Sequence, residues 1–196
     1  MELGLLYSGG KDSTLAALLL DDFYEVTLVT ASFGVTDAWE YARETAEKTG
    51  FDFETVELET AVAEEAVAEM VEDGYPRNGI QHVHQHALEM VAEMDFDAIA
   101  DGTRRDDRVP SISRAQAQSL EDRHDVDYIV PLSGFGRGAV DRVVEQTLSV
   151  TTGPSEEIPK ADYEDELRAI LRREHGEEAV ADVFPDHTQT YVTGLN

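Results

Sequence analysis

The stretch LLYSGGKDSTLAALLL, residues 5–20, decides the fold of this chain. It interrupts an apolar run with two glycines, a lysine and hydroxyl side chains, and then continues as a leucine-rich run. The pattern predicts a buried strand over 3–7 and a helix over 13–20, joined by a tight turn. Free amide groups and the positive dipole end at the start of such a helix bind anions. We therefore expect a phosphate site at residues 8–13.

Strand-like and helix-like runs alternate along the chain as far as residue 150. Further strands are predicted at 25–33, 51–58, 97–101 and 128–132. Further helices are predicted at 37–50, 60–73, 81–94, 112–124 and 138–148. This alternation predicts one α/β domain over residues 1–150, with a three-layer, doubly wound, Rossmann-like arrangement around a mostly parallel five-stranded sheet. Residues 151–196 are predicted to form a small C-terminal extension with one amphipathic helix, at 163–175, and an irregular end.

The composition excludes several kinds of site. The chain has no cysteine, which rules out a disulfide, a thiolate metal site, an iron–sulfur cluster and a catalytic thiol on this chain. Its net charge is −27, and it has three lysines against twelve arginines. Such a surface is typical of a halophilic protein, in which salt screens the self-repulsion. The charge opposes nucleic-acid binding at low salt, and no DNA partner is expected.

The sequence also bears on location. No apolar stretch approaches the roughly 20 residues that span a bilayer. The first residues, MELGLLYSGG, lack the basic flank and the small-residue cleavage site of a signal peptide. We expect a cytoplasmic protein without a membrane partner.

The residue types in the turn select among phosphate-binding motifs. Gly9 and Gly10 let the backbone close around an oxyanion without a Cβ atom in the way, and the serines on either side add hydroxyl donors. Lys11 adds a positive charge, and Asp12 can help to hold magnesium. The kinase-type loop, Gly-x-x-x-x-Gly-Lys followed by Ser or Thr, is absent, and so is the dinucleotide pattern Gly-x-Gly-x-x-Gly.

The motif that is present, Ser-Gly-Gly-x-Asp-Ser at residues 8–13, resembles the pyrophosphate loop of the N-type ATP pyrophosphatases. This group is also called the adenine nucleotide α-hydrolase-like superfamily. Two later stretches are similar to motifs of the same group: ADGTRRDDR at 100–108, and VPLSGFGRGAVDRVV at 130–144. The resemblance covers roughly residues 1–150, and the tail matches no pattern of the group.

The resemblance implies an enzyme that uses ATP and Mg²⁺. A substrate oxygen would attack the α-phosphorus, pyrophosphate would leave into the glycine loop, and a nitrogen or sulfur nucleophile would then displace AMP. The residues assigned to ATP binding are Ser8, Gly9, Gly10, Ser13, Thr14, Thr30, Ala31, Phe33, Gly102 and Arg104. The residues assigned to catalysis are Lys11, Asp12, Arg105 and Asp107. The Mg²⁺ ligands are assigned as Asp12 and Asp106.

Several alternatives stay open from the sequence. Either Arg104 or Arg105 could meet a phosphate or a substrate carboxylate, and either Asp106 or Asp107 could serve magnesium. The acceptor substrate is a small molecule or a tRNA, and the resemblance makes a homodimer plausible. A nucleotide-binding module without turnover, or a simple ATPase, would be consistent with the same loop.

Three histidines and one lysine also stand out. His82 and His86 lie four residues apart, so on a helix they could share a metal ion, although histidines that line a cleft or a polar helix face are the commoner arrangement. His84 lies between them. Lys160 is one of only three lysines, and it could reach ATP or the substrate from the tail.

Overall fold

The computed structural model describes residues 1–155, 158 and 161–196. The first eleven elements are β1 (Glu2–Leu6), α1 (Lys11–Leu20), β2 (Glu25–Ser32), α2 (Trp39–Thr49), β3 (Asp52–Glu57), α3 (Thr60–Asp73), α4 (Arg77–Ala92), β4 (Ala98–Ala100), α5 (Arg114–His124), β5 (Asp127–Ile129) and α6 (Arg137–Thr147). The tail adds β6 (Leu148–Pro154), α7 (Tyr163–His175), α8 (Glu177–Val183) and β7 (Thr188–Leu195).

One sheet of five parallel strands has the order β3-β2-β1-β4-β5. Leu3 pairs with Val26 of β2 on one side and with Ala98 of β4 on the other. The direction of the strand order therefore reverses between β1 and β4, which is where open α/β sheets bind ligands. The predicted Rossmann-like α/β fold is confirmed.

Alternate residues of the central strands feed two hydrophobic cores. Leu5 and Leu28 pack into one cluster with α1, α2 and α6, whereas Leu6 and Val29 pack into the other with α3 and α4. Successive side chains of a strand point to opposite faces of the sheet, so these two clusters give the three layers. Within the described chain, no helix is both long and apolar enough to cross a membrane.

The tail is more regular than its sequence suggested. The prediction of an irregular end was wrong, because α8 and β7 lie there and β7 pairs antiparallel with β6. Leu167 and Ile170 of α7 join one core cluster, and Val192 of β7 joins the other. Two helices separate the paired strands along the chain, so no local turn motif predicts their pairing. The division at residue 150 stays a prediction.

Gly79 of α4 provides a test of the contact between α3 and α4. A Cβ atom at this position would lie 2.6 Å from the carbonyl oxygen of Ala66 on α3. Because backbone cannot move aside cheaply, we expect Gly79→Ala to lower the free energy of unfolding by about 1–3 kcal/mol. Urea titration at fixed high salt would measure the loss.

Gly138 of α6 supplies the matched control. An added Cβ atom there meets no heavy atom within 4 Å. Gly138→Ala should leave the protein as stable as before, or up to about 1 kcal/mol more stable, because alanine is the better helix former. Equal unfolding midpoints in the two variants would contradict the close packing of α3 against α4.

Candidate active site

The glycine turn joins β1 to α1, and one of its two glycines has left-handed backbone. Gly9 has φ +75°, and Gly10 is the N-cap of α1. In the described part of the chain, no side chain caps this helix. The first amide groups of α1 are therefore available to a ligand. The hydroxyl groups of Ser8 and Ser13 lie 3.4 Å apart beside them.

A cavity of about 400 Å³ lies at the carboxyl ends of β1 and β4, next to this turn. Seven of the predicted site residues line it: Ser8, Asp12, Ser13, Ala31, Gly102, Arg104 and Asp107. The structure thus brings residues from three separate stretches of the sequence to one place. Their convergence follows from the parallel sheet, in which the strand ends meet at one edge.

Gly102 holds the loop after β4 against the start of α1. A Cβ atom on Gly102 would lie 2.7 Å from the Cα atom of Ser13, which is closer than real side chains come. Only glycine therefore permits this approach. The approach also places Arg104 beside Asp12.

Arg104 is a positively charged side chain of the cavity wall. The backbone N–H of Arg104 donates a hydrogen bond to the Asp107 carboxylate at 2.8 Å, and the Arg104 guanidinium donates to the same carboxylate. Burial alone would lower the pKa of Arg104, but the carboxylates of Asp107 and Asp12 raise it above its usual value. Its Nη1 atom is buried and, among the described residues, has no hydrogen-bond partner, although Asp12 Oδ2 lies 3.5 Å away.

Three charged residues assigned to the site lie outside the cavity lining. The Nζ atom of Lys11 is held between Asp12 and Asp141 of α6, at 2.8 Å from each. Asp106 accepts from the backbone N–H of Arg137 at the start of α6, at 2.9 Å, and this hydrogen bond lowers the pKa of Asp106. Arg105 is exposed, and its N–H donates to Phe135 O.

Two threonines of the predicted site support the turn and do not line the cavity. The Thr14 hydroxyl donates to Gly10 O at 2.9 Å, and the Thr30 hydroxyl donates to Tyr7 O at 2.8 Å. Both are buried. Their side chains fix the backbone of the turn from within the fold.

The end of β2, predicted to contact adenosine, is covered by Glu166 of α7. Its carboxylate accepts from the backbone N–H groups of Phe33, at 2.9 Å, and Val35, at 2.8 Å. Glu166 is only 4% exposed, and sequence reasoning missed it. Its signal was an acidic residue on the apolar face of the amphipathic helix, one position before Leu167 and four before Ile170.

The tail also forms part of the cavity, for which the sequence had suggested only Lys160. The carbonyl groups of the turn accept from tail amides: Ser8 O from Ala161 N at 3.2 Å, and Gly9 O from Val192 N at 3.3 Å. Lining residues from the tail are Ala161, Asp162, Tyr163, Glu164 and Gln189. Lys160 lies outside the described residues.

The histidines divide between two environments. His84 lines the cavity. His82 is half-buried and lies 3.7 Å from Glu69. No group of three or more potential metal ligands occurs within residues 1–155, 158 and 161–196.

Asp101, at the end of β4, is the most buried carboxylate of the cavity wall. Its carboxylate accepts hydrogen bonds from Thr103 N at 2.8 Å and from the Tyr128 hydroxyl at 2.5 Å. It also contacts Nε2 of His84 at 3.1 Å. Burial alone would raise the pKa of Asp101, but the hydrogen bond and charge of His84, with the hydroxyl donors, lower it below its usual value. Asp101 is therefore ionised at neutral pH.

Asp101→Asn tests this assignment. Because the folded-state pKa of Asp101 is lowered, its ionised form stabilises the fold above the ordinary value of 3.8, and that stability is lost as the pH falls through the lower folded value. We expect the substitution to cost about 1.5–3 kcal/mol at pH 7, the range for hydrogen bonds to a charged group. The difference in free energy of unfolding between wild type and Asp101→Asn should shrink below pH 3.8.

Urea unfolding at fixed salt between pH 3 and 7 would measure this difference. Asp122→Asn, at an exposed position of α5, is the control and should show little effect at any pH. A difference between wild type and Asp101→Asn that stays constant across the range would contradict an ionised Asp101.

Comparison with known proteins places the chain in one family. The chain is 40% identical over 196 residues to the uncharacterized protein MJ0690 of Methanocaldococcus jannaschii, covering all of this chain and 96% of that protein. The crystal structure described as "predicted subunit of tRNA methyltransferase" from Methanocaldococcus jannaschii matches with a TM-score of 0.92 and 38% identity, over 100% of this chain and 98% of that one.

A lower similarity links the chain to the U34-tRNA thiolase NcsA from Methanococcus maripaludis, solved with its 4Fe–4S cluster. That match has a TM-score of 0.45 at 18% identity, over 74% of this chain and 56% of that one, and supports no argument. The family model described as "Family of unknown function (DUF7411)" matches residues 1–194. The chain therefore belongs to the DUF7411 family.

Proposed function

We propose that this protein is an ATP-dependent adenylating enzyme. It would cleave ATP at the α-phosphate to AMP and pyrophosphate, and so activate a substrate oxygen for attack by a nitrogen or sulfur nucleophile. The observation that carries the proposal is the cavity in which the uncapped start of α1, the Ser8 and Ser13 hydroxyls and the Arg104 guanidinium converge. All of these groups can donate hydrogen bonds, which suits a ligand rich in acceptor oxygens.

The proposed roles in binding follow from these positions. The first amides of α1 and the two serine hydroxyls would hold the pyrophosphate part of ATP. Arg104 would donate from Nη1, the buried nitrogen that has no hydrogen-bond partner among the described residues. Donors that are already in place stabilise the charge that develops on a leaving group. The cavity volume of about 400 Å³ lies within the usual range of small-molecule sites, roughly 300–1,000 Å³.

Two carboxylates of the cavity fit a magnesium ion. Asp12 and Asp107 both line it and both contact Arg104. Mg²⁺ is usually held by one or two carboxylates together with substrate phosphates, so these residues suffice without a larger protein cluster. Asp12 is the nearer to the turn and would be the principal ligand. When bound, the ion would neutralise charge on the phosphates.

The proposed contact with adenosine differs from the one that the sequence predicted at the end of β2. Ala31 lines the cavity, whereas the Phe33 N–H already donates to Glu166. We therefore assign Ala31, and not the Phe33 amide, to contact with the adenosine part of ATP. The tail residues that line the cavity would face the acceptor substrate.

A tRNA is the first acceptor to test. The solved relative is described as a tRNA methyltransferase subunit and matches almost the whole chain, which supports an RNA-related role. The charge of −27 opposes RNA binding at low salt, but at about 1 M salt the Debye length is only about 3 Å. A homodimer remains a prediction from the resemblance.

Incubation with ATP labelled at the α-phosphate, at high salt with magnesium, bulk archaeal tRNA as the acceptor and ammonium chloride as the nucleophile, tests the proposed function. We expect labelled AMP. Arg104→Gln should slow its formation by about two to three orders of magnitude, the usual cost of losing one preorganised donor. Arg108→Gln, an exposed position in the same loop, is the matched control and should form AMP at the wild-type rate.

The label also separates the alternatives. Labelled ADP would indicate a simple ATPase. Unchanged ATP with measurable affinity for it would indicate a binding module, and the proposed enzyme would then be rejected. Equal rates in Arg104→Gln and wild type would contradict the role given to Arg104.

A further inference from the structure

His84 is a buried histidine in the cavity wall, and it has no role in the proposed binding of phosphate. It lies on α4 and is only 3% exposed. Its Nε2 atom is 3.1 Å from Oδ2 of Asp101, and its Nδ1 atom is 3.5 Å from the hydroxyl of Tyr163 on α7. His84, Asp101 and Tyr163 all line the cavity. A carboxylate, an imidazole and a phenol thus form one chain of contacts at its wall.

The surroundings of Asp101 fix which nitrogen of His84 carries the proton. Both oxygens of Asp101 already accept hydrogen bonds, from the amide and hydroxyl of Thr103 on one oxygen and from the Tyr128 hydroxyl on the other. An ionised carboxylate can only accept. Nε2 of His84 must therefore donate to Asp101.

The other nitrogen of a neutral His84 is then an acceptor. With the proton on Nε2, the lone pair lies on Nδ1, toward Tyr163. Burial, followed by the charge of Asp101, raises the pKa of Tyr163 well above its usual value, so the phenol stays protonated and donates to Nδ1. At 3.5 Å this contact is long for a hydrogen bond. A protic group bound in the cavity can therefore replace the Tyr163 hydroxyl as the donor to Nδ1 with little loss of free energy.

We propose that His84 is the general base of this cavity and that the nucleophile it serves is ammonia or a primary amine. This inference rests on the proposed function, because it needs an adenylated substrate in the same cavity. The amine nitrogen forms a bond to the activated carbon, the bond from that carbon to the adenylated oxygen breaks, and AMP leaves with the electron pair. The proton lost by the nitrogen moves to Nδ1 of His84, and Asp101 stabilises the imidazolium.

The charge of the wall favours nitrogen over sulfur. Asp101 and Asp162 line the cavity and their charges act on Tyr163. Glu164 of the same wall is instead paired with Arg168 at 2.7 Å. The carboxylates of Asp101 and Asp162 attract an ammonium ion, which gives its first proton to water and attacks as ammonia, and the second proton then moves to Nδ1 of His84. The same carboxylates repel a sulfide or persulfide anion, which needs no base. The chain also has no cysteine with which to carry sulfur.

His84→Gln is the decisive variant. A glutamine amide can still donate to Asp101, but it offers no basic nitrogen. The assay uses full-length protein in excess over α-labelled ATP, with magnesium, ammonium chloride and bulk archaeal tRNA at high salt. We expect AMP formation to fall about 100-fold or more, the usual contribution of a general base, with an unchanged dissociation constant for Mg·ATP. His82→Gln, on the outer side of α4 near Glu69, should match wild type.

Two further measurements separate a chemical role from a structural one. Imidazole added to His84→Ala should restore part of the lost rate, because it can enter the space that the side chain left. In long-range ¹⁵N–¹H NMR spectra, wild-type His84 should show the proton on Nε2, and Asp101→Asn should mix the two tautomers and slow AMP formation. Asp101 is thus a positioning residue.

The outcomes are distinguishable. If wild type does not bind Mg·ATP, or converts it to ADP, the proposed function itself fails. If wild type forms AMP and His84→Gln forms it equally fast, only the role of His84 fails. If sodium sulfide stimulates AMP formation and ammonium chloride does not, the nitrogen nucleophile is wrong.

Discussion

A Cβ atom on Gly102 would lie 2.7 Å from Cα and 2.8 Å from N of Ser13, so the loop after β4 and the first turn of α1 touch backbone to backbone. β1 and β4 are neighbours where the strand order reverses, and no helix separates their loops there. The contact carries Arg104 to within 3.5 Å of Asp12. The cavity, its donors and the ion pairs around Arg104 all depend on this one approach.

The tail makes the site a property of the whole chain. Its amides donate to the carbonyl groups of Ser8 and Gly9, and Glu166 occupies the backbone donors at the end of β2. A buried carboxylate is costly unless it is hydrogen-bonded, so Glu166 fixes α7 to β2 specifically. α7 in turn places Tyr163 beside His84. The glycine turn and the tail are therefore held in one arrangement by hydrogen bonds as well as by the two cores.

The sequence predicted the sheet and the glycine turn because their signals are local: apolar runs, glycines and spacing. It also named Asp12, Arg104 and Asp107, which line the cavity, but it could not separate them from charged residues that lie outside the lining. The residue types of Lys11 and Asp106 predicted a place in the site. In the structure, both contact α6 instead: Lys11 pairs with Asp141, and Asp106 accepts from the Arg137 amide. Glu166 and Tyr163 were missed for the same reason, since each acquires its contacts from an element far away in the chain.

The pairing of Lys11 with Asp12 and Asp141 bears on how so acidic a chain would hold phosphate. Both lysine contacts are 2.8 Å, and Arg104 is likewise paired with carboxylates, so neither cation brings an unbalanced charge to the cavity. The remaining donors are neutral amides and hydroxyls. Their hydrogen bonds act at direct contact and do not depend on the long-range attraction between charges that salt screens, with a screening length of only about 3 Å at 1 M. Under the proposed function, neutral donors would thus allow phosphate recognition at salt concentrations that would weaken an exposed cluster of lysines.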